Sequence, residues 1–121
     1  MNAKGKTVLI IDDHPTNLSV IAEFLENEGF EIMVAQDGKQ GMEQAYLGQP
    51  DIILLDVMMP EIDGFETCHL LKQDERTKTI PVIFLTALAN ENDKVKGFEA
   101  GAVDYITKPI QHQEALARIS H

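Results

Sequence analysis

Short apolar runs along the chain alternate with stretches in which apolar residues recur every three or four positions. The central run, Ile52 to Leu55, is apolar at every position, which is typical of a strand buried on both faces of a parallel sheet. Other runs of strand length, several rich in β-branched residues, flank it on both sides. The predicted strands are 7–11, 30–35, 52–56, 82–86 and 103–106.

Five helices are predicted between and after these strands. The first begins around His14 and Pro15, because proline suits the first turn of a helix, and it ends at Gly29. In the fourth helix we expect Val95 and Phe98 to turn inward. The later helices are predicted around 42–46, over about 65–72, over 90–100 with Gly101 as C-cap, and over 114–119. This alternation predicts an α/β fold, a doubly wound five-stranded parallel sheet with helices on both faces.

Length and composition narrow the function. A chain of 121 residues makes one domain, and 10 basic against 20 acidic residues give a net charge of -10. That charge argues against direct nucleic-acid binding, which needs a basic surface. The single cysteine, Cys68, excludes an internal disulfide and is expected to be a small buried hydrophobe. With no apolar stretch of membrane-spanning length and no signal peptide, we expect a cytoplasmic domain without a membrane partner.

Polar residues end four of the predicted strands. Asp12 and Asp13 follow the first strand, Asp56 ends the third, Thr86 ends the fourth, and Lys108 follows the fifth. Parallel strands end at one edge of the sheet, so these side chains should converge there. A carboxylate at the end of a buried strand needs compensation, and Mg²⁺ with a nearby lysine would supply it. Such a group has the parts needed for phosphoryl transfer to a carboxylate.

In this order, the motifs resemble those of the receiver domain of bacterial two-component response regulators. The matching segments are Asp12-Asp13, Asp56, Met58-Met59-Pro60 with Asp63-Gly64, Thr86-Ala87, Gly101-Ala102-Val103-Asp104-Tyr105, and Lys108-Pro109. The resemblance implies the flavodoxin-like strand order 2-1-3-4-5. It covers all but the end of the last helix, so we expect residues 1–121 to be a receiver domain cut from a longer chain within that helix.

The resemblance implies a metal site and a phosphoryl acceptor. Asp56 would accept a phosphoryl group from a phosphohistidine. Asp13 and Asp56 would bind Mg²⁺ through their carboxylates, Met58 through its backbone carbonyl, and Asp12 through water.

The resemblance also implies a switch. Lys108 would pair with the Asp56 carboxylate and later with the phosphoryl group, to which Thr86 would donate its hydroxyl. Tyr105 would then rotate inward and change the surface around the fourth helix, fifth strand and fifth helix. The bond between Lys108 and Pro109 is expected to be cis.

The implied partner is a sensor histidine kinase or a histidine phosphotransfer domain. An output or kinase domain beyond His121 and a phosphorylation-linked homodimer are further partners that the resemblance suggests. The domain would not be an enzyme in the usual sense, because it would catalyse only its own phosphorylation and dephosphorylation.

Several alternatives stay open at this point. Asp12 or Asp13 alone could cap the helix that follows. A receiver that binds partners without phosphorylation would keep the same fold. A dehalogenase-like phosphohydrolase would also use an aspartate nucleophile with Mg²⁺, but that class resembles Asp-x-Asp, and here Met58 stands at the second position. The four histidines lack metal-ligand spacing and are expected at the surface.

Two apolar residues bear on the lifetime of the phosphorylated form. By resemblance, Met58 and Leu88 flank the path of the water that would hydrolyse an aspartyl phosphate. Neither side chain can orient a water by hydrogen bonding, so we expect slow hydrolysis.

Overall fold

The computed structural model describes residues 5–87 and 91–120, and over these ranges five strands alternate with five helices. The elements are β1 (Thr7–Ile11), α1 (Pro15–Asn27), β2 (Glu31–Ala35), α2 (Gly38–Gly48), β3 (Ile52–Asp56), α3 (Gly64–Gln73), β4 (Val82–Thr86), α4 (Glu91–Ala100), β5 (Asp104–Thr107) and α5 (His112–Ser120). All neighbouring strands are parallel and their order is 2-1-3-4-5, which confirms the predicted fold. None of the helices within these ranges has the length and apolar character that a membrane crossing requires.

Element boundaries differ from the prediction by a few residues. β5 begins at Asp104 and α5 at His112, whereas Asn90, the predicted start of the fourth helix, lies outside the described residues. Two helix starts have a local cause. Asp37 accepts a hydrogen bond from the Gln40 N–H at 2.7 Å and so caps α2. Asp63 caps α3 in the same way, accepting from the N–H of Glu66 at 2.9 Å.

Alternate strand residues build one hydrophobic core on each face of the sheet. On one face, Leu9 and Phe84 pack with residues from α2 and α3, including Cys68, which is fully buried as expected. On the other face, Ile10 and Leu54 pack against α1 and α5. Successive side chains of each strand therefore point to opposite faces, and both faces of the sheet are apolar and buried, as a doubly wound parallel sheet requires.

The prediction that Val95 and Phe98 form the inward face of α4 is wrong. Val95 and Phe98 are 48% and 51% exposed, and over residues 94–100 of α4 the buried residue is Gly97. A Cβ at Gly97 would collide with the hydroxyl and ring of Tyr105. Because that ring lies directly under the helix, only a residue without a side chain fits against it.

Two leucines test this core. Leu25 of α1 is fully buried, whereas Leu47 of α2 is 78% exposed. We expect Leu25→Ala to lower the free energy of unfolding by about 2–5 kcal/mol, since it removes buried methyl groups and leaves a cavity. The matched Leu47→Ala should change it by less than about 0.5 kcal/mol. Urea denaturation measures both, and equal effects would contradict the assigned burial.

Candidate functional site

Backbone pairing aligns the strand ends that carry the predicted site residues. The Asp12 N–H donates to the Ala35 carbonyl at 3.1 Å, which holds Asp12 at the end of β1. Asp56 pairs in register with Leu85 on β4. The Lys108 N–H donates to the Thr86 carbonyl at 2.8 Å, so Lys108 lies beside the end of β4. One edge of the sheet thus gathers the residues that the sequence predicted to converge.

Lys108 joins two buried carboxylates. Its Nζ lies 3.2 Å from Asp56 Oδ1 and 3.3 Å from Asp12 Oδ2. Asp12 and Asp56 are buried, and the lysine side chain is 21% exposed. Burial raises the pKa of Asp56 above its ordinary value, and the neighbouring Asp12 charge raises it further, while the Lys108 ammonium opposes both. The carboxylate is therefore stabilised only in part by its lysine.

Two buried carboxylate oxygens, Asp56 Oδ2 and Asp13 Oδ1, accept no hydrogen bond of good geometry from the described residues, although His14 Nδ1 lies 3.0 Å from Asp13 Oδ1. One potential ligand atom each from Asp12, Asp13, His14 and Asp56 lies within 4.8 Å of the others. Carboxylate oxygens clustered in this way, one of them without a hydrogen-bond donor, fit a hard divalent cation such as Mg²⁺. The cluster could therefore hold a metal ion, whose charge would offset that of the carboxylates.

The alternative that Asp12 or Asp13 caps the following helix is wrong. His14, not Asp12 or Asp13, is the N-cap residue of α1, and its side chain makes no cap hydrogen bond. Asp12 instead accepts the His14 N–H through Oδ1 at 2.9 Å, which fixes the loop between β1 and α1. Asp13 keeps its side chain at the edge of the cluster.

Other predicted site residues take defined positions. Thr86 is 1% and Tyr105 is 6% exposed, and the Tyr105 hydroxyl donates to the Lys94 carbonyl at 3.0 Å. The ring thus occupies an inward position, while its coupling to Thr86 stays a prediction. The bond between Lys108 and Pro109 is cis, as expected.

The cleft beside the cluster has a volume of about 510 Å³ and includes Asp13 and Met58 in its lining. The Met58 residue is 62% exposed at this opening. Its carbonyl as a metal ligand stays a prediction, and Leu88, its expected neighbour along the water path, lies outside the described residues.

Sequence reasoning missed two contributions to this site. A Cβ at Gly64 would collide with the Asp56 carbonyl and the Val57 backbone, so this glycine lets α3 begin directly against the chain that follows β3. His14 is 63% exposed in its side chain, as predicted for a surface residue, yet its Nδ1 lies 3.0 Å from Asp13 Oδ1. Its position directly after the aspartate pair was the available signal.

A 2-1-3-4-5 parallel sheet with an acidic cluster and a lysine at its carboxyl edge defines the class of CheY-like receiver proteins. The chain belongs to the response regulator receiver domain family, whose model matches residues 8–120. Members of this family are signalling domains of two-component systems rather than classical enzymes. They interact with histidine kinases, typically bind Mg²⁺, and act as phosphorylation-based switches.

Three similar proteins illustrate the range of the family. The DNA-binding dual master transcriptional regulator RpaA of Synechocystis is 47% identical over 112 residues, which are 93% of this chain and 46% of that protein. The chemotaxis protein CheY4 of Vibrio cholerae has a TM-score of 0.91 at 27% identity, with 95% of this chain and 96% of that chain covered. The receiver domain of sensor histidine kinase PA1611 from Pseudomonas aeruginosa, with a magnesium ion coordinated in its active site cleft, has a TM-score of 0.86 at 33% identity. That match covers 95% of this chain and 93% of the kinase receiver.

The pKa of Asp56 generates a stability prediction. Burial raises the pKa of Asp56 in the folded protein above its ordinary value of 3.8, so folding favours the protonated carboxyl. The folded state gains stability from this carboxyl at low pH. That contribution is lost as the pH rises from 3.8 through the higher pKa of the folded state. In chelator at pH 7, we expect Asp56→Asn to raise the free energy of unfolding by on the order of 1 kcal/mol, the scale of one poorly satisfied buried group. The gain should shrink toward pH 4, as measured by urea denaturation.

The matched control is Asp51→Asn, an exposed carboxylate just before the opposite end of β3. It should give no comparable gain at pH 7. A wild type as stable as Asp56→Asn at pH 7 would contradict the cost assigned to the buried charge.

Proposed function

We propose that Asp56 accepts a phosphoryl group from a phosphohistidine of a sensor histidine kinase or a histidine phosphotransfer domain, with Mg²⁺ bound beside it. One observation carries this proposal. Asp56 is buried at a strand end, with Oδ1 held by Lys108 and Oδ2 accepting no hydrogen bond from the described residues. A carboxylate with an oxygen left available beside an open cleft is suited to attack an incoming phosphorus atom.

In the proposed reaction, an Asp56 carboxylate oxygen forms a bond to phosphorus while the bond from phosphorus to the histidine nitrogen breaks. The histidine leaves with its electron pair, which takes up a proton. Lys108 orients the carboxylate before transfer and can then pair with a phosphoryl oxygen, since its Nζ contacts Asp56 directly. Thr86, at the end of the neighbouring strand, would donate its hydroxyl to the same group.

The carboxylates of Asp13 and Asp56 and the Met58 carbonyl would hold the Mg²⁺ ion, with Asp12 contributing through water. The buried Asp56 Oδ2, which accepts no hydrogen bond from the described residues, and the clustering of Asp13 with it support this assignment. When bound, the ion would neutralise negative charge on the carboxylates and on the phosphoryl oxygens. The magnesium ion in the similar receiver domain of kinase PA1611 also favours it.

Phosphorylation would change the surface formed by α4, β5 and α5, through Thr86 and Tyr105. The exposed side chains of Val95, Phe98 and Val103 supply apolar area for a partner there, including a second phosphorylated copy. The chain spans about half of the length of RpaA, so an output or kinase domain in the same protein belongs to the proposal. We place the protein in the cytoplasm, where response regulators generally act.

Acetyl phosphate tests the acceptor. With Mg²⁺ and this small phosphodonor, we expect the wild type to gain the mass of one phosphoryl group, because the donor needs no protein partner. Asp56→Asn should gain none, and the control Asp51→Asn should be modified like the wild type. Intact-mass spectrometry measures all three proteins. Modification of Asp56→Asn to the same extent as the wild type would show that Asp56 is not the phosphoryl acceptor.

The lifetime of the phosphorylated form tests whether the apolar side chain of Met58 slows hydrolysis. Met58 lies at the opening of the cleft, so Met58→Asn would place an amide where it can orient a water. We expect this variant to release phosphate severalfold faster than the wild type after the donor is removed. The isosteric change Met58→Leu should leave the rate nearly unchanged. Equal rates for Met58→Asn and the wild type would show that this side chain does not govern hydrolysis.

A further inference from the structure

The side chain of His14 points toward the acidic cluster although most of it is exposed to solvent. Its Nδ1 lies 3.0 Å from Asp13 Oδ1 and 3.4 Å from Asp12 Oδ1. Its own N–H donates to Asp12 Oδ1, which anchors the residue between β1 and α1. Because the imidazole makes no cap hydrogen bond to α1, that helix start does not require it.

The imidazole nitrogen joins a cluster in which one buried carboxylate oxygen, Asp56 Oδ2, has no hydrogen-bond donor among the described residues. Ligand atoms from His14, Asp12, Asp13 and Asp56 all lie within 4.8 Å of one another. A second observation concerns Asp56, whose side chain is only 3% exposed. Its buried Oδ2 accepts no hydrogen bond from any described residue. The cluster therefore offers one nitrogen and three carboxylates, with Lys108 as the cation in contact with it.

A mixed nitrogen and oxygen set discriminates between metals. Mg²⁺ takes oxygen ligands almost exclusively, whereas imidazole suits Ni²⁺, Cu²⁺ and Zn²⁺, and affinity along the first transition row rises to a maximum at Cu²⁺ and falls again at Zn²⁺. Two ligands each about 2.0–2.2 Å from one ion lie at most about 4.4 Å apart, and the distances from His14 Nδ1 to Asp13 Oδ1 (3.0 Å) and Asp12 Oδ1 (3.4 Å) are within that limit. The His14 ring can also adjust toward an ion, because its side chain is 63% exposed.

We propose that His14 is a metal ligand, and that with Asp12, Asp13 and Asp56 it gives this site a preference for late first-row divalent cations over Mg²⁺. The inference rests on the metal site of the proposed function and adds a ligand to it. His69 and His112, the other histidines in the described ranges, lie on α3 and α5, and His112 stacks on Phe24. Neither belongs to the cluster.

Isothermal titration with Zn²⁺, Ni²⁺ and Mg²⁺ tests the proposal on the wild type, His14→Asn, Asp56→Asn and the control His69→Asn. His14→Asn should weaken Zn²⁺ and Ni²⁺ binding by about tenfold or more, at least the loss caused by removing an outer partner of a ligand. It should change Mg²⁺ affinity by less than about twofold, since Mg²⁺ uses the oxygens. His69→Asn should change none of the three, and Asp56→Asn should weaken all of them.

A spectroscopic readout separates ligation from an indirect effect. Cu²⁺ bound to the wild type should show nitrogen hyperfine coupling from one imidazole in its electron paramagnetic resonance spectrum, and His14→Asn should lose it. Unchanged Zn²⁺ affinity in His14→Asn, or an equal loss in His69→Asn, would overturn the proposal. If acetyl phosphate and Mg²⁺ still phosphorylated Asp56 in that case, the proposed function would hold although His14 is not a ligand. A wild type that bound no divalent cation would reject both.

Discussion

The architecture depends on the cost of a charge at the end of a buried strand. Asp56 closes β3 among apolar residues, and its Oδ1 is compensated by Lys108, which must also serve Asp12. One ammonium shared between two buried carboxylates leaves negative charge uncompensated. In the proposed function, this remaining charge would attract a divalent cation and favour attack on phosphorus, so the uncompensated charge that destabilises the fold would also supply the chemistry.

The strands and the convergence of the site could be predicted from the sequence for one physical reason. Apolar runs of strand length specify a parallel sheet, and the ends of parallel strands meet at one edge regardless of their separation in sequence. Asp12, Asp56 and Lys108 are far apart along the chain, yet their contacts follow from that rule. Their roles in phosphoryl transfer rest on resemblance and stay proposals.

Side-chain orientation could not be predicted in the same way. Apolar spacing favoured Val95 and Phe98 as the buried side of α4, but Gly97 is buried because an aromatic ring from β5 fills the space beneath. Hydrophobic periodicity contains no information about such a ring. Likewise, a capping role for Asp12 or Asp13 was compatible with their position before α1, and only the fold shows that they lie in the cluster instead.

The contact between Tyr105 and Gly97 has a mechanical consequence. The phenol ring fills the volume that a side chain on α4 would otherwise occupy, so ring and helix are complementary shapes. Withdrawing the ring would leave a void under the helix, and voids of that size are costly in a packed interior. The helix would have to settle into the vacated space or rise with the returning ring. In the proposed switch, a rotation about one side-chain bond of Tyr105 would thereby displace a whole surface element.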